Sequence, residues 1–253
     1  MSGICKPSKQ NKSKRWRRSL ANVVYTAVIT LTTQLDQRGY AIAPQILTPK
    51  TVADFRERFH NQAFPRHGFR HVETVLPELR SLITAAPLAE LLASLFSSPP
   101  KLIRALYFNK TQNTNWGVPW HQDKTIAVQQ RIAIPGFSAW SVKQGVIHVQ
   151  PPTRILEQIL TLRIHLDPTN ENNGALQAIP GSHRHGFLVR ADIDRLKKER
   201  SPVTCCLNAG DVLMMQPLLL HSSRKSQTER DRRVIHLELT HQNLPGGLQW
   251  AMR

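Results

Sequence analysis

The chain has 253 residues, 40% hydrophobic content and a formal net charge of +17. That size and apolar content suit one large domain, and three cysteines, Cys5 and the adjacent Cys205-Cys206, provide neither a spaced disulfide framework nor C-x2-C zinc spacing. A reducing, cytoplasmic location is therefore expected, and the basic excess suits anionic partners, although no zinc-finger, RNP-type or aromatic-interleaved basic motif singles out nucleic acid.

Seven Lys and Arg residues lie within residues 1–20, and no acid precedes Asp36. The apolar run from Leu20 to Leu31 is interrupted by Asn22, Thr26 and Thr30. It lacks a cleavage site of small residues and falls short of the roughly 20 apolar residues a bilayer span needs. Residues 1–33 are thus expected to be a basic, disordered tail leading into a helix, with 34–253 as one domain. Gly39-Tyr40-Ala41-Ile42 reads as a short strand. Thr48 can cap a helix with Pro49 at its first position, placing Val52, Phe55 and Phe59 on one face. A second helix starts near Pro87; Leu88, Leu91, Leu92, Leu95 and Phe96 form a core-facing stripe, and Pro99-Pro100 ends it.

From Leu102 onward short β-type runs dominate: Ile103–Phe108, Val118–Asp123, Gly145–Val149, Leu160–Leu166, Val203–Leu207, Val212–Met215 and Arg233–Thr240. Asp167-Pro168 through Asn173-Gly174, and Asn208 through Asp211, supply turns between them. The pattern predicts a mainly β (α+β) domain, a sandwich or jelly roll, with the N-terminal helices packed on one sheet.

His121-Gln122-Asp123 is the pattern that carries chemistry. In an extended strand alternate side chains share a face, so His121 and Asp123 project together and Gln122 points away. With His221 from a distant strand they make a 2-His-1-carboxylate triad, which leaves open positions on a non-haem Fe(II). With 11 histidines in the chain, H-x-D alone is weak; its surroundings strengthen it. They comprise Tyr107-Phe108-Asn109-Lys110, Val118-Pro119-Trp120, Asn173-Gly174-Ala175-Leu176, Ile179-Pro180-Gly181-Ser182-His183, Gly210-Asp211-Val212, Pro217 through Ser223, and Arg232-Arg233.

In order and spacing these blocks resemble the phytanoyl-CoA dioxygenase family of Fe(II)/2-oxoglutarate oxygenases, from about Gln34 to about Thr240. The resemblance implies a double-stranded β-helix, with His121, Asp123 and His221 as metal ligands and Fe(II), 2-oxoglutarate and O2 as cofactors. Arginine's planar fork suits the distal carboxylate of 2-oxoglutarate. Strand alternation does not separate Arg232 from Arg233, but the family spacing of eleven residues after the distal histidine selects Arg232. Ser223 matches a position whose hydroxyl helps hold that carboxylate, Trp140 an aromatic contact and Leu106 an apolar one, while Gln122 adjoins the ligands. The turn holding His183 and His185 matches a structural connection. His165 and His236 read as hydrogen-bonded core histidines, and residues 132–152 as the mouth of the site.

The implied reaction is oxidative decarboxylation of 2-oxoglutarate coupled to hydroxylation of a small molecule, and the basic excess suits an anionic one. Related enzymes that halogenate carry a small residue where Asp123 stands, so hydroxylation is expected. A nucleic-acid oxidative demethylase using the same triad, or a catalytically silent jelly-roll binding protein, are the other readings.

Overall fold

A computed structural model describes residues 29–61, 68–111 and 114–252; most of the expected basic tail, residues 1–28, lies outside them. Its two longest strands, β3 (Lys101–Lys110) and β13 (Arg232–Thr240), pair antiparallel at the centre of the larger sheet. Because side chains alternate, each strand serves two environments. Ala105, Tyr107, Ile235 and Leu237 enter the main apolar cluster. The opposite register pairs Lys110 with Arg232, Phe108 with Val234, Leu106 with His236 and Arg104 with Glu238. One face is a core; the other is a wall of functional groups.

This antiparallel sheet has the order β1 (Tyr40–Ala43), β11 (Val212–Met215), β8 (Leu160–His165), β13, β3 and β2 (Phe69–Arg70). Its apolar face is covered by α1 (helical residues 29–38), α2 (Pro49–His60), α3 (Glu78–Thr84) and α4 (Leu88–Leu95). Thr48 Oγ1 accepts from the Thr51 amide to cap α2, which buries Val52, Phe55 and Phe59. Each such side chain contributes about 1.5–3 kcal/mol, and Phe59 stacks on Tyr107 with ring centroids 3.9 Å apart. Leu88, Leu91 and Leu92 of α4 are buried in the same cluster.

A second sheet, with the order β10 (Val203–Thr204), β9 (Leu176–Ala178), β12 (His221–Ser223) and β4 (Val118–His121), faces the functional wall across a cavity. A third, with the order β5 (Ile126–Val128), β7 (Val146–Gln150) and β6 (Ser138–Lys143), has an apolar cluster of its own. This is a mainly β jelly roll with its N-terminal helices on the outer face of the larger sheet, as expected.

Several details differ from the expected elements. The run Val118–Asp123 ends as a strand at His121, and Val203–Leu207 is a strand only over Val203–Thr204, with an isolated bridge from Leu207 to Thr169. Helix α1 crosses the expected boundary at residues 33 and 34, and its Leu31 and Leu35 pack on the core. The helix α5 (Arg190–Glu199) escapes pattern reading because only Leu196 of its ten residues is buried. Among the described residues no helix is long and apolar enough to cross a membrane.

Candidate metal centre

Strands β4 and β12 lie antiparallel with His121 directly opposite His221, and their ring centroids are 4.2 Å apart. Asp123 follows the end of β4, held by its amide donating to Pro217 O at 2.9 Å. Its Oδ1 lies 3.7 Å from His121 Nε2 and its Oδ2 3.9 Å from His221 Nε2. One ligand atom from each residue falls within 4.8 Å of the others.

The hydrogen bonds around the triad fit a cation. His121 Nδ1 lies 2.9 Å from Pro119 O, and His221 Nδ1 lies 2.8 Å from Leu219 O. Nδ1 is therefore the donor on each ring, and the Nε2 lone pairs are left to point at the shared space. Asp123 Oδ2 is buried with no hydrogen-bond partner, a costly state for a carboxylate oxygen unless a cation completes it. Burial opposes ionisation of Asp123, but His221, His236, His121 and Arg104 outweigh it and hold the carboxyl well below the usual carboxylate range. Burial, against the pull of Asp123, pushes His221 down to about 4. An ionised carboxylate beside a neutral imidazole is the state a divalent metal requires.

The triad opens into a cavity of about 430 Å³. One end of it is cationic. Arg232, 2% exposed, lines it with Nε and Nη1 unpartnered. Opposite it on β3, Lys110 is 1% exposed, and its Nζ donates to Ser223 Oγ at 2.7 Å and to Arg224 O at 2.5 Å. Ser223 Oγ in turn donates to Gly174 O at 2.8 Å. Gly174 has φ +75°, and a Cβ there would fall 2.5 Å from Arg224 O, so this close approach excludes any other residue. Burial, then Arg232 and Arg163, push Lys110 down to about 7, while burial and Arg163 push Arg232 down to about 9. A buried guanidinium without an acidic partner marks a site for an anion.

Arg233 points elsewhere. Its Nε and Nη2 reach Asp167 Oδ2 and Oδ1 at 2.7 and 2.9 Å, and Arg56 of α2 shares that carboxylate at 3.0 Å. The geometry therefore separates two neighbours that strand alternation leaves equivalent.

Leu106, Gln122 and Ser223 line the cavity with the triad, whereas Trp140, the other expected cosubstrate contact, does not. Gln122 has its amide committed to backbone: Nε2 donates to Gly186 O and Leu218 O, both at 2.8 Å, and Oε1 accepts from Leu188 N at 2.9 Å. It ties the 186–188 segment to the triad. Trp140 sits on β6 against the apolar cluster of the third sheet, with Arg131 over its ring at 5.5 Å, and is not a cavity-lining residue. Trp140→Ala should lower the thermal midpoint while leaving the affinity for 2-oxoglutarate within error; a loss of affinity in calorimetric titration would return Trp140 to the site.

Of the expected mouth, residues 132–152, only Lys143 lines the cavity. His183 Nε2 donates to Asp36 O, 3.0 Å away, and His185 Nε2 lies 3.4 Å from Arg200 Nη2. Both are structural contacts. His165 is buried but both its ring nitrogens lack partners, contrary to the expected hydrogen bond. His236 is bonded to Arg163 and Glu238 at 3.2 Å each, and it lines the cavity near Asp123. Pattern reading missed Lys110, Arg163 and His236 as cavity residues. The signal was a charged or polar residue at alternate positions of otherwise apolar strands.

The chain is similar to several known proteins. Phytanoyl-CoA dioxygenase 1 of Oryza sativa subsp. japonica is 23% identical over 185 residues, covering 69% of this chain; the chain spans 56% of that relative's length. AviO1 from Streptomyces viridochromogenes Tue57 shares the fold with a TM-score of 0.61 at 21% identity, over 86% of this chain and 96% of that one. HygX from Streptomyces hygroscopicus, solved with nickel and 2-oxoglutarate, gives 0.60 at 17% identity, over 83% and 86%. EctD from S. alaskensis, solved with 2-oxoglutarate and 5-hydroxyectoine, gives 0.63 at 18%, over 82% and 74%. The profile of the phytanoyl-CoA dioxygenase (PhyH) family matches residues 35–234, from the second half of α1 to the third residue of β13, and with most of the chain and the whole triad inside that span, the chain belongs to this family.

Proposed function

We propose that the protein is an Fe(II)- and 2-oxoglutarate-dependent dioxygenase that hydroxylates a small molecule, releasing succinate and CO2. The observation that carries this reading is the pairing, in one cavity, of a 2-His-1-carboxylate triad with the buried, unpartnered guanidinium of Arg232. A catalytically silent jelly roll has no use for either.

His121, Asp123 and His221 would hold the iron, which when bound supplies the O2 chemistry that couples decarboxylation of 2-oxoglutarate to oxidation of a substrate C–H bond. The chain's own residues bind, orient and exclude water. Pro119 O and Leu219 O fix the two imidazoles with Nε2 inward. Arg232, Lys110 and Ser223 would hold the distal carboxylate of the cosubstrate. Leu106, Phe108, Val118 and Leu176 supply an apolar lining that keeps the space dry and strengthens each charge-assisted bond. Asp123 fills the third protein position, so chloride has no protein-vacated site and the product is an alcohol.

Fe(II)-dependent succinate formation from 2-oxoglutarate, stimulated by fractions of a metabolite extract, tests the reading. The product formed under 18O2 should gain one labelled oxygen atom. No succinate under any condition, or a chlorinated product, would overturn it.

The Lys110 contact adds a pH dependence. Its ammonium titrates near 7 in the free protein, and a bound carboxylate raises that value. Below pH 7 Lys110 is already protonated, so affinity for 2-oxoglutarate should be flat there. Above pH 7 binding must take up a proton, and the dissociation constant should climb by up to about tenfold per pH unit. Lys110→Met should bind more weakly at pH 6 and lose the slope; an unchanged slope would assign it to another group.

A further inference from the structure

The cavity carries more positive charge than the metal centre and cosubstrate account for. Along β3 and β13 the Lys110–Arg232 pair and the Arg104–Glu238 pair are six residues apart, about 20 Å at the strand rise. Around the Arg104 end stand three further cations of the cavity wall, Arg70 of β2, Lys143 at the end of β6, and Lys124 just after Asp123.

Two of these four are satisfied within the fold. Arg104 bonds Glu238 and Thr125 O. Lys124 Nζ donates to Leu188 O at 2.6 Å and lies over the Phe187 ring. The other two are not. Lys143 has one long contact, 3.4 Å to Thr125 Oγ1, and among the described residues Arg70 has no side-chain hydrogen bond or ion pair. Their like charges work against one another: burial and then Arg104 lower the pKa of Arg70, while burial, Arg70 and Arg104 lower that of Lys143. His148 of β7, 1% exposed with both ring nitrogens unpartnered, is pushed down to about 4 by burial and by Arg104, Lys143 and Arg70.

The acids within reach are committed. Glu238 serves Arg104 and His236, and Asp123 belongs to the triad. Loading the site does not change this balance, because a dianionic cosubstrate directs its free carboxylate to the Arg232 end. A guanidinium and an ammonium left facing a half-enclosed space, close to the metal centre, need an anion that comes and goes.

We propose that Arg70 and Lys143 form the recognition site for an oxyanion group, carboxylate or phosphate, on the molecule that is hydroxylated. The oxyanion anchors one end of the substrate and leaves its reacting carbon toward the triad. This inference rests on the reading of the site as an iron and 2-oxoglutarate oxygenase, and the test separates the two.

Under anaerobic conditions the protein is loaded with Fe(II) and 2-oxoglutarate and the visible charge-transfer absorption of that complex is recorded. Its absence would overturn the oxygenase reading, and the substrate anchor with it. With the complex formed, butanoate, butyl phosphate and uncharged butanamide are titrated calorimetrically. Butanoate or butyl phosphate should bind, the tighter of the two identifying the oxyanion, and butanamide should not. Arg70→Glu and Lys143→Glu should each weaken that binding by about tenfold or more, the scale of a lost charge-assisted hydrogen bond. Arg70→Gln and Lys143→Gln, which ask less of the fold, should weaken it in the same direction. If butanamide binds as well as the anions, if neither anion binds, or if the neutral and charge-reversed variants bind them unchanged, the anchor is not there.

Discussion

Asp123→Ala should lose metal affinity by more than about 100-fold, because even residues that merely orient ligands are worth 10–100-fold and Asp123 is the triad's only anion. Metal binding by calorimetry with Mn(II) under anaerobic conditions reads this directly, without a known substrate. His121→Ala and His221→Ala should move in the same direction. The aspartate change has a further signature. Asp123 Oδ2 has no hydrogen-bond partner, and Asp123 shares a cluster with His236 and Glu238. Removing it strips an unsatisfied buried acceptor and leaves Glu238 with Arg104, so the fold should survive. A variant that keeps full Mn(II) affinity would show that the three side chains do not form the centre.

The triad was legible because the blocks around His121-Gln122-Asp123 and His221 match a family in order and spacing, and the strand pattern was legible because apolar runs and turn residues alternate regularly. Less was visible wherever a second face or a long-range pairing decides. The β13 sequence cannot say which of Arg232 and Arg233 is wanted inside, since both faces of that strand are covered; Asp167 and Arg56, from other elements, claim Arg233. Trp140 was placed by its match to an aromatic position of the family, yet the residues around it form a separate small sheet that carries it to another apolar cluster. Lys110, Arg163 and Arg104 are charged residues in strands, a pattern that normally marks a solvated face. Only the register of β3 with β13, and of β13 with β8, turns that face into a cavity wall.

Arg232→Ala should raise the dissociation constant for 2-oxoglutarate by about 10–100-fold, the equivalent of the 1.5–3 kcal/mol carried by a hydrogen bond to a charged group. Arg232 is 2% exposed and two of its nitrogens are unpartnered, so the change removes a poised donor set and breaks no ion pair. It should cost little stability, since it relieves repulsion with Arg163 and Lys110. Arg232→Lys keeps the charge without the planar fork and should fall between the unmodified protein and the alanine variant. Arg233→Ala should show the opposite profile. It breaks the two-pronged contact with Asp167, leaves that carboxylate to Arg56, and should lower the thermal midpoint while 2-oxoglutarate affinity stays within about threefold, under 1 kcal/mol. Calorimetric titration of 2-oxoglutarate beside thermal unfolding of each variant gives both readouts. If the affinity loss follows Arg233 and the stability loss Arg232, the carboxylate clamp lies one residue further along the strand and the β13 register facing the cavity is reversed.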